Sequence, residues 1–169
     1  MKLENIDKKT YRKHLNKIIV GFIITFMVLA VLFGQLFILI FAGNVDNNFW
    51  FNFSGVVLAL IFTLTIINHF KHHKFMSEVY YVWKMKQQIN YIYRKLKVVK
   101  KQALQESDIS ALIILSFYYK ACRQLYTLDD NTITLSSLNR DEQELIAHLN
   151  SHNLTIDVND YQQQLLTKV

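Results

Sequence analysis

Two long apolar runs stand out in the first half of the chain. Residues 18–41 contain no charged side chain, and residues 49–70 also lack Lys, Arg, Asp and Glu. Because an α-helix rises about 1.5 Å per residue, each run is long enough to cross a bilayer. A cleaved signal peptide has a shorter apolar region and a small-residue cleavage site. Since only residues 42–48 join the runs, the pattern predicts an antiparallel transmembrane hairpin.

After residue 70 the apolar positions become periodic. Alternating spacings of three and four, typical of a coiled-coil or helical-hairpin seam, relate seven residues: Val82, Met85, Ile89, Ile92, Leu96, Val99 and Ala103. A second, sparser stripe lies well off this seam and comprises Tyr80, Trp83, Tyr91 and Val98. The pattern predicts one long helix over 74–104 that is sandwiched between neighbours.

The next apolar segment, residues 109–128, follows a break at which Ser107 or Asp108 is the predicted N-cap. Lys120 and Arg123 interrupt the segment too early for a third span. We expect it to form the central helix of a bundle, packed on the seam either within one chain or across a dimer.

The last forty residues contain a turn and two short helix signals. LDDNTIT predicts a turn at 128–134, in which Asp129 and Asp130 serve as turn and cap residues, with a divalent-ion or partner contact as the alternative. Asn139 with Glu142, and Asn159 with Gln162, resemble capping boxes. They predict a helix ending between 148 and 150 and a last helix ending at 166.

Composition supports a helical fold, because the chain has no proline and only four glycines. The predicted fold class is an all-α membrane protein with a two-helix transmembrane hairpin followed by a cytoplasmic helical bundle. Its predicted parts are a basic cytoplasmic N-terminal segment (1–17), the hairpin (18–70) and the cytoplasmic helical domain (71–169). The single cysteine, Cys122, is expected to be a buried thiol.

Charge is distributed unevenly and predicts the orientation. Residues 1–106 carry 15 Lys and Arg against 5 Asp and Glu, whereas residues 107–169 carry 4 against 8. Basic residues flank both apolar runs, and the loop between them has none: Lys2, Lys8, Lys9, Arg12, Lys13 and Lys17 precede the first run, and Lys71 and Lys74 follow the second. The positive-inside rule therefore predicts that both termini are cytoplasmic, with anionic lipid headgroups as partners. The acidic tail is expected to fold back onto the basic long helix.

Small residues indicate how the two spans pack. Ala30 and Gly34 in the first run, and Gly55 and Ala59 in the second, are spaced so that helix backbones can approach closely. Pairing Gly34 with Gly55 places Gln35 level with Ser54, where a hydrogen bond is expected. The alternatives are an oligomer interface or a chance spacing.

Three histidines lie at the end of the second apolar run and just after it. A helix would bring His69, His72 and His73 to one face, where imidazoles can chelate a metal ion. Lys71 and Lys74 disfavour a dication there, so an interfacial collar is the favoured interpretation. A pH-sensitive collar and a metal site remain alternatives.

The sequence contains no phosphate-binding glycine loop, nucleophile elbow, HExxH or CxxC motif. We therefore expect no enzymatic activity and no cofactor. Basic and aromatic residues alternate in 80–101, but helical phasing favours packing and lipid contact over nucleic-acid binding.

Three stretches resemble a known family: MSEVYYVW (76–83), NYIYRKL (90–96) and FYYKACRQLYTLDDNTIT (117–134). They are similar to a small family of gammaproteobacterial two-span membrane proteins of unknown function. The resemblance covers nearly the whole chain, implies a bacterial inner-membrane location and assigns no site residue. We expect an accessory, scaffold or regulatory protein that acts through its helical domain, with a membrane protein or a second copy as partner. A pH- or metal-responsive transport or sensor component and an inner-leaflet enzyme are alternatives.

Overall fold

The computed structural model describes residues 1–41 and 47–169, and the regular structure of these residues is helical throughout. Five α-helices follow one another along the chain: α1 (Lys8–Phe41), α2 (Phe49–Phe70), α3 (Ser77–Gln105), α4 (Ile109–Leu128) and α5 (Leu135–Ser151). Short 3₁₀ turns occupy Lys74–Met76, Val158–Asp160 and Gln163–Thr167. The predicted all-helical fold is confirmed. Most of the predicted 42–48 loop lies outside the described residues.

The chain divides into two compact units. The hairpin unit is Lys9–Tyr80, and the helical unit combines Met1–Lys8 with Tyr81–Val169. Residues 1–8, predicted to form one segment with residues 9–17, thus belong with the helical unit, which begins more than 70 positions later in the sequence. Their hydrogen bonds explain this, since the backbone N–H of Glu4 donates to the Tyr81 hydroxyl and Gln124 donates to the Glu4 carbonyl.

The hairpin unit contains the two most apolar helices. α2 has the predicted bounds, whereas α1 starts ten residues before the apolar run because its first turns contain good helix formers and no breaker. Both helices are long and apolar enough to span a membrane. Only 6% of the residues in the most apolar part of α1 are buried, and 17% of those in the most apolar part of α2.

The core of the helical unit lies around α4. Eleven of its twenty residues are buried, which requires neighbours on most sides. α5 and both C-terminal 3₁₀ turns contact α4, and the Phe117 ring stacks on that of Tyr161 with centroids 3.9 Å apart. This arrangement agrees with the predicted central helix. Cys122 is fully buried, and burial raises the pKa of its thiol to about 11.

The predicted seam of α3 is buried within one chain. Val82, Met85, Ile92, Val99 and Ala103 are at most 1% exposed, while Ile89 and Leu96 lie half-buried at the edge of the stripe. Burial in a single chain favours the intrachain alternative over a dimeric seam.

The helix starts were predicted with mixed success. Asp108 caps α4, because its carboxylate accepts a hydrogen bond from the backbone N–H of Ala111 at 2.7 Å. Asn139, the predicted cap of the next helix, lies inside α5, which begins at Leu135 and buries Leu138. The predicted last helix was wrong: two 3₁₀ turns occupy this region, and Asp157 caps the first of them.

Candidate functional site

The helices of the hairpin unit meet at their small residues. A Cβ added at Gly55 would lie 2.4 Å from the Gly34 nitrogen and 2.6 Å from its Cα. Gly55 and Ala59 are buried, as is Thr63 one turn further on, while Ala30 is half-buried. The structure therefore brings Gly34 and Gly55 into backbone contact, which only glycine permits at this distance.

The predicted polar link across the hairpin is not formed. Gln35 and Ser54 are both exposed, and no hydrogen bond joins them in the described part of the chain. Asn52 occupies the space over Gly34 instead, since a Cβ added there would lie 2.9 Å from the Asn52 Oδ1. Asn52 is one turn before Gly55, so the same face of α2 provides both neighbours of Gly34.

The structure does not place the three histidines on one helical face. α2 ends at Phe70, so only His69 is helical, and His72 packs edge-on against the Tyr80 ring at 5.2 Å. His73 has extended backbone, and its Nδ1 accepts a hydrogen bond from the Phe75 N–H at 3.2 Å. Within residues 1–41 and 47–169, no group of three or more His, Cys, Asp or Glu side chains is arranged to hold a metal.

Another histidine forms the polar contact at the base of the hairpin unit. His14 Nδ1 lies 3.1 Å from Glu78 Oε2, and the His14 ring packs on Phe75 with centroids 4.4 Å apart. The Ser77 hydroxyl donates to the same carboxylate oxygen at 3.0 Å. We define the base cluster as His14, Phe75, Ser77 and Glu78.

The base cluster stabilises the ionised carboxylate of Glu78. Partial burial raises the pKa of Glu78, but hydrogen bonds from its backbone N–H, from His14 and from Ser77 outweigh that effect. The pKa is therefore below the ordinary value of 4.5. Sequence reasoning missed the cluster because 64 positions separate His14 from Glu78 and no periodic pattern relates them.

An open apolar cleft of about 330 Å³ lies above this base. α1 contributes Gly21 and Phe22 to its wall, α2 contributes Ile66 and Phe70, and Phe75 of the base cluster also lines it. A Cβ added at Gly21 would meet no atom within 4 Å, so this glycine leaves space open within the cleft.

The first eight residues act as a strap on the helical unit. In addition to the Glu4 contacts, the amino nitrogen of Met1 donates to the Tyr161 carbonyl at 3.1 Å, and Lys8 pairs with Asp130. Burial raises the pKa of the Tyr81 hydroxyl that receives the Glu4 N–H. The strap was also missed, because its basic residues were assigned to lipid headgroups.

The carboxylates of the 128–134 turn are separated as predicted for turn residues. Asp129 caps α4 through its backbone N–H and pairs with Lys86 at 2.9 Å, while Asp130 has a positive φ of 56° and pairs with Lys8. The acidic tail also contacts the basic helix, since Lys100 pairs with Asp141 at 2.6 Å.

The second stripe of α3 lies opposite the buried seam and is largely exposed, so the prediction that this helix is sandwiched between neighbours was wrong. The exposed fractions are 51% for Trp83, 39% for Tyr91 and 47% for Val98. Arg94 lies between Tyr91 and Val98 on the same face and is also exposed. We call this surface, formed by Tyr91, Arg94 and Val98 with Trp83 at one end, the outer face of α3.

The fold and these sites define an all-helical protein that has two apolar helices and a helical unit with a hydrophobic core of its own. Comparison with known families shows that the chain belongs to the family described as "Protein of unknown function (DUF3087)", which matches residues 1–166. The expected membership of a family of unknown function is therefore confirmed, while the two-span character and the bacterial origin stay predictions. Comparisons with curated proteins and with solved structures found no match.

Proposed function

We propose that this protein is a bacterial inner-membrane adaptor: an accessory, scaffold or regulatory protein that binds partners through a cytoplasmic helical unit. α1 and α2 would anchor it as a transmembrane hairpin. The support is the exposure of their large apolar side chains, which reaches 83% at Leu39, 64% at Val31 and 55% at Ile61. A water-soluble monomer rarely exposes so large an apolar surface, and the core helix of a soluble protein would be mostly buried.

The proposed orientation places both ends of the hairpin unit in the cytoplasm. Lys9, Lys13 and Lys17 are exposed at one end of α1, and Lys74 is exposed just after α2. The apolar runs between them carry no basic residue. Cations are retained preferentially on the cytoplasmic side of a bacterial membrane.

The outer face of α3 is the observation that carries the binding role. Because the seam residues of α3 lie in the core of the helical unit, its opposite face is left as a surface that combines tyrosine, valine and arginine. Aromatic residues and arginine are enriched where proteins bind one another. The matching partner surface is an apolar segment flanked by carboxylates, on the cytoplasmic part of another membrane protein.

Site-specific photocrosslinking in native membranes tests this role. A benzophenone amino acid at Tyr91 or Val98 should give the same discrete protein adduct, and Arg94→Glu should abolish both adducts. The same group at Ile146, which is 49% exposed on α5, is the matched control and should give no such adduct.

Two outcomes would contradict the proposal. Equal labelling at Ile146 and Tyr91 would mean that the outer face is not selective, and lipid adducts alone would mean that it contacts the bilayer. Reporter fusions after Val169 and at Asp46 check the anchor, because the proposed orientation exposes only the second reporter outside the cytoplasm.

A pH-responsive sensor or transport component is a second candidate function. The base cluster supports it, since His14 and Glu78 link α1 to the start of α3 through a contact that depends on ionisation. Self-association and the absence of enzymatic activity remain predictions. A homo-oligomer would have to use a surface other than the seam.

A further inference from the structure

The cleft of the hairpin unit has the chemistry of a lipid site. Its wall is mostly apolar, and the Thr63 hydroxyl inside it already donates to the Ala59 carbonyl at 2.8 Å. Thr25 is the other threonine in the lining, and apart from His73 the remaining wall inside the cleft is apolar. A volume of about 330 Å³ lies within the range of small-molecule pockets and suits part of an acyl chain.

Cations lie beside one end of this cleft. Lys17 is one helical turn before Gly21 on the same face of α1, and Lys74 stands between His73 and Phe75, which both line the cleft. Both lysines are exposed, and neither forms an ion pair with any residue that the structure describes. The nearest carboxylate of the base cluster, Glu78, is engaged by His14 and Ser77, so the two lysines keep their charge unpaired at the rim.

His73 lines the cleft and offers a further hydrogen-bond donor there. Its Nδ1 accepts the Phe75 N–H, so a neutral imidazole carries its proton on Nε2. That N–H can donate to an anionic oxygen. Of the three histidines, only His73 lines the cleft and can supply such a donor there.

We infer that the cleft binds one anionic phospholipid of the surrounding bilayer, with an acyl chain against Gly21 and Ile66 and the phosphate at Lys17, Lys74 and His73. Charge complementarity selects this occupant, because an apolar groove with unpaired cations at one end matches an amphiphile with an anionic head. The inference rests on the proposed membrane anchoring. It adds a defined lipid site to a surface that would otherwise contact lipids unselectively.

The test uses the full chain in vesicles of equal parts phosphatidylglycerol and phosphatidylcholine with identical acyl chains. A benzophenone amino acid replaces Thr25, which lines the cleft, and mass spectrometry identifies the adducts. The control position is Ile24, which is 58% exposed at the same depth outside the cleft. We expect the phosphatidylglycerol adduct to dominate at Thr25 and both adducts to occur equally at Ile24.

Two variants separate the acyl and the headgroup contributions. Gly21→Leu should reduce lipid labelling at Thr25 about tenfold, because its side chain enters space that the acyl chain needs. Val20→Leu, at an exposed neighbour, is its control. The double variant Lys17→Gln and Lys74→Gln should lower the preference for phosphatidylglycerol about thirtyfold. The double variant Lys2→Gln and Lys9→Gln removes the same charge away from the cleft and is the control, which should keep the preference.

Equal adducts at Thr25 and Ile24, or an adduct with a second copy of the chain, would overturn the inference. If Gly21→Leu fails to insert into the vesicles, the ratio of the two lipid adducts at Thr25 and at Ile24, measured with Gly21 intact, still tests the inference. Extraction with alkaline carbonate distinguishes failure of this inference from failure of the proposed function. A chain that carbonate removes from the vesicles is not anchored, whereas an anchored chain without lipid preference at Thr25 lacks only the lipid site.

Discussion

The hairpin unit and the helical unit use the same apolar residue types in opposite ways. In the hairpin unit the buried positions of α2 are Gly55, Ala59 and Thr63, while large side chains such as Leu39 point outward. In the helical unit α4 buries residues as large as Phe117 and Tyr119. The two units of one chain thus have an inverted distribution of side-chain size.

The difference shows which force each unit exploits. Packing of large apolar side chains away from water stabilises the helical unit. In the proposed membrane location that force is absent between α1 and α2, and close backbone approach through small residues takes its place. Three experiments test this contrast, beginning with the largest expected effect.

Removing a large apolar side chain should matter in one unit only. Leu112 is fully buried in α4, so Leu112→Ala should lower the free energy of unfolding by about 2–5 kcal/mol. Leu32 is 57% exposed on α1, and Leu32→Ala should change it by less than about 0.5 kcal/mol. Denaturation in mild detergent measures both. Similar losses would show that Leu32 also lies in a protein core, such as that of an oligomer.

Adding one methyl group should matter most where the hairpin helices touch. Gly55→Ala places a Cβ against the Gly34 backbone, which cannot move as a flexible side chain can, so a loss of about 1–3 kcal/mol is expected. Gly21→Ala is the matched control, with no atom within 4 Å of the new Cβ. Unfolding of the hairpin unit in increasing SDS measures the difference. Equal stability of the two variants would contradict the close approach.

The smallest effect concerns the base cluster and depends on pH. Since the pKa of Glu78 is below 4.5, its stabilising contribution is present above that pH and is lost as the pH falls through the lowered pKa. Glu78→Gln should cost about 0.5–1 kcal/mol at neutral pH and nothing in strong acid, where the unmodified chain loses the same contacts.

Thermal unfolding at several pH values measures this effect. Glu106→Gln is the control, because its carboxylate is 52% exposed and lies 3.8 Å from Lys101. A constant difference between Glu78→Gln and the unmodified chain at every pH would argue against the ionised contact. A large response of this cluster near neutral pH would instead favour the sensor hypothesis.

Local patterns were enough to predict several features. The apolar run over residues 49–70 coincides with the helix α2, and five of the seven seam residues are buried where the spacing placed them. Asp108 caps α4, and Gly34 meets Gly55. Most of these features depend on side chains within a few helical turns of one another. The contact of Gly34 with Gly55 follows from their similar distance from the loop that joins the two helices.

Features that depend on distant residues were not predictable in this way. The contact of His14 with Glu78 and the strap of residues 1–8 join positions that no periodicity relates. The histidine prediction assumed that α2 continued to His73, but the helix ends at Phe70 and the extended backbone of His73 starts a 3₁₀ turn.

The amino-acid sequence by itself determined the helical fold, the two apolar helices and the buried stripe of α3. These follow from hydropathy and period, which act over one or two helical turns. Only the tertiary structure decided that the seam is satisfied within one chain, that the outer face of α3 remains exposed and that a cleft lies beside Lys17 and Lys74. The physical reason is that burial and enclosure are properties of segments brought together from far apart in the chain, whereas helix formation depends on near neighbours.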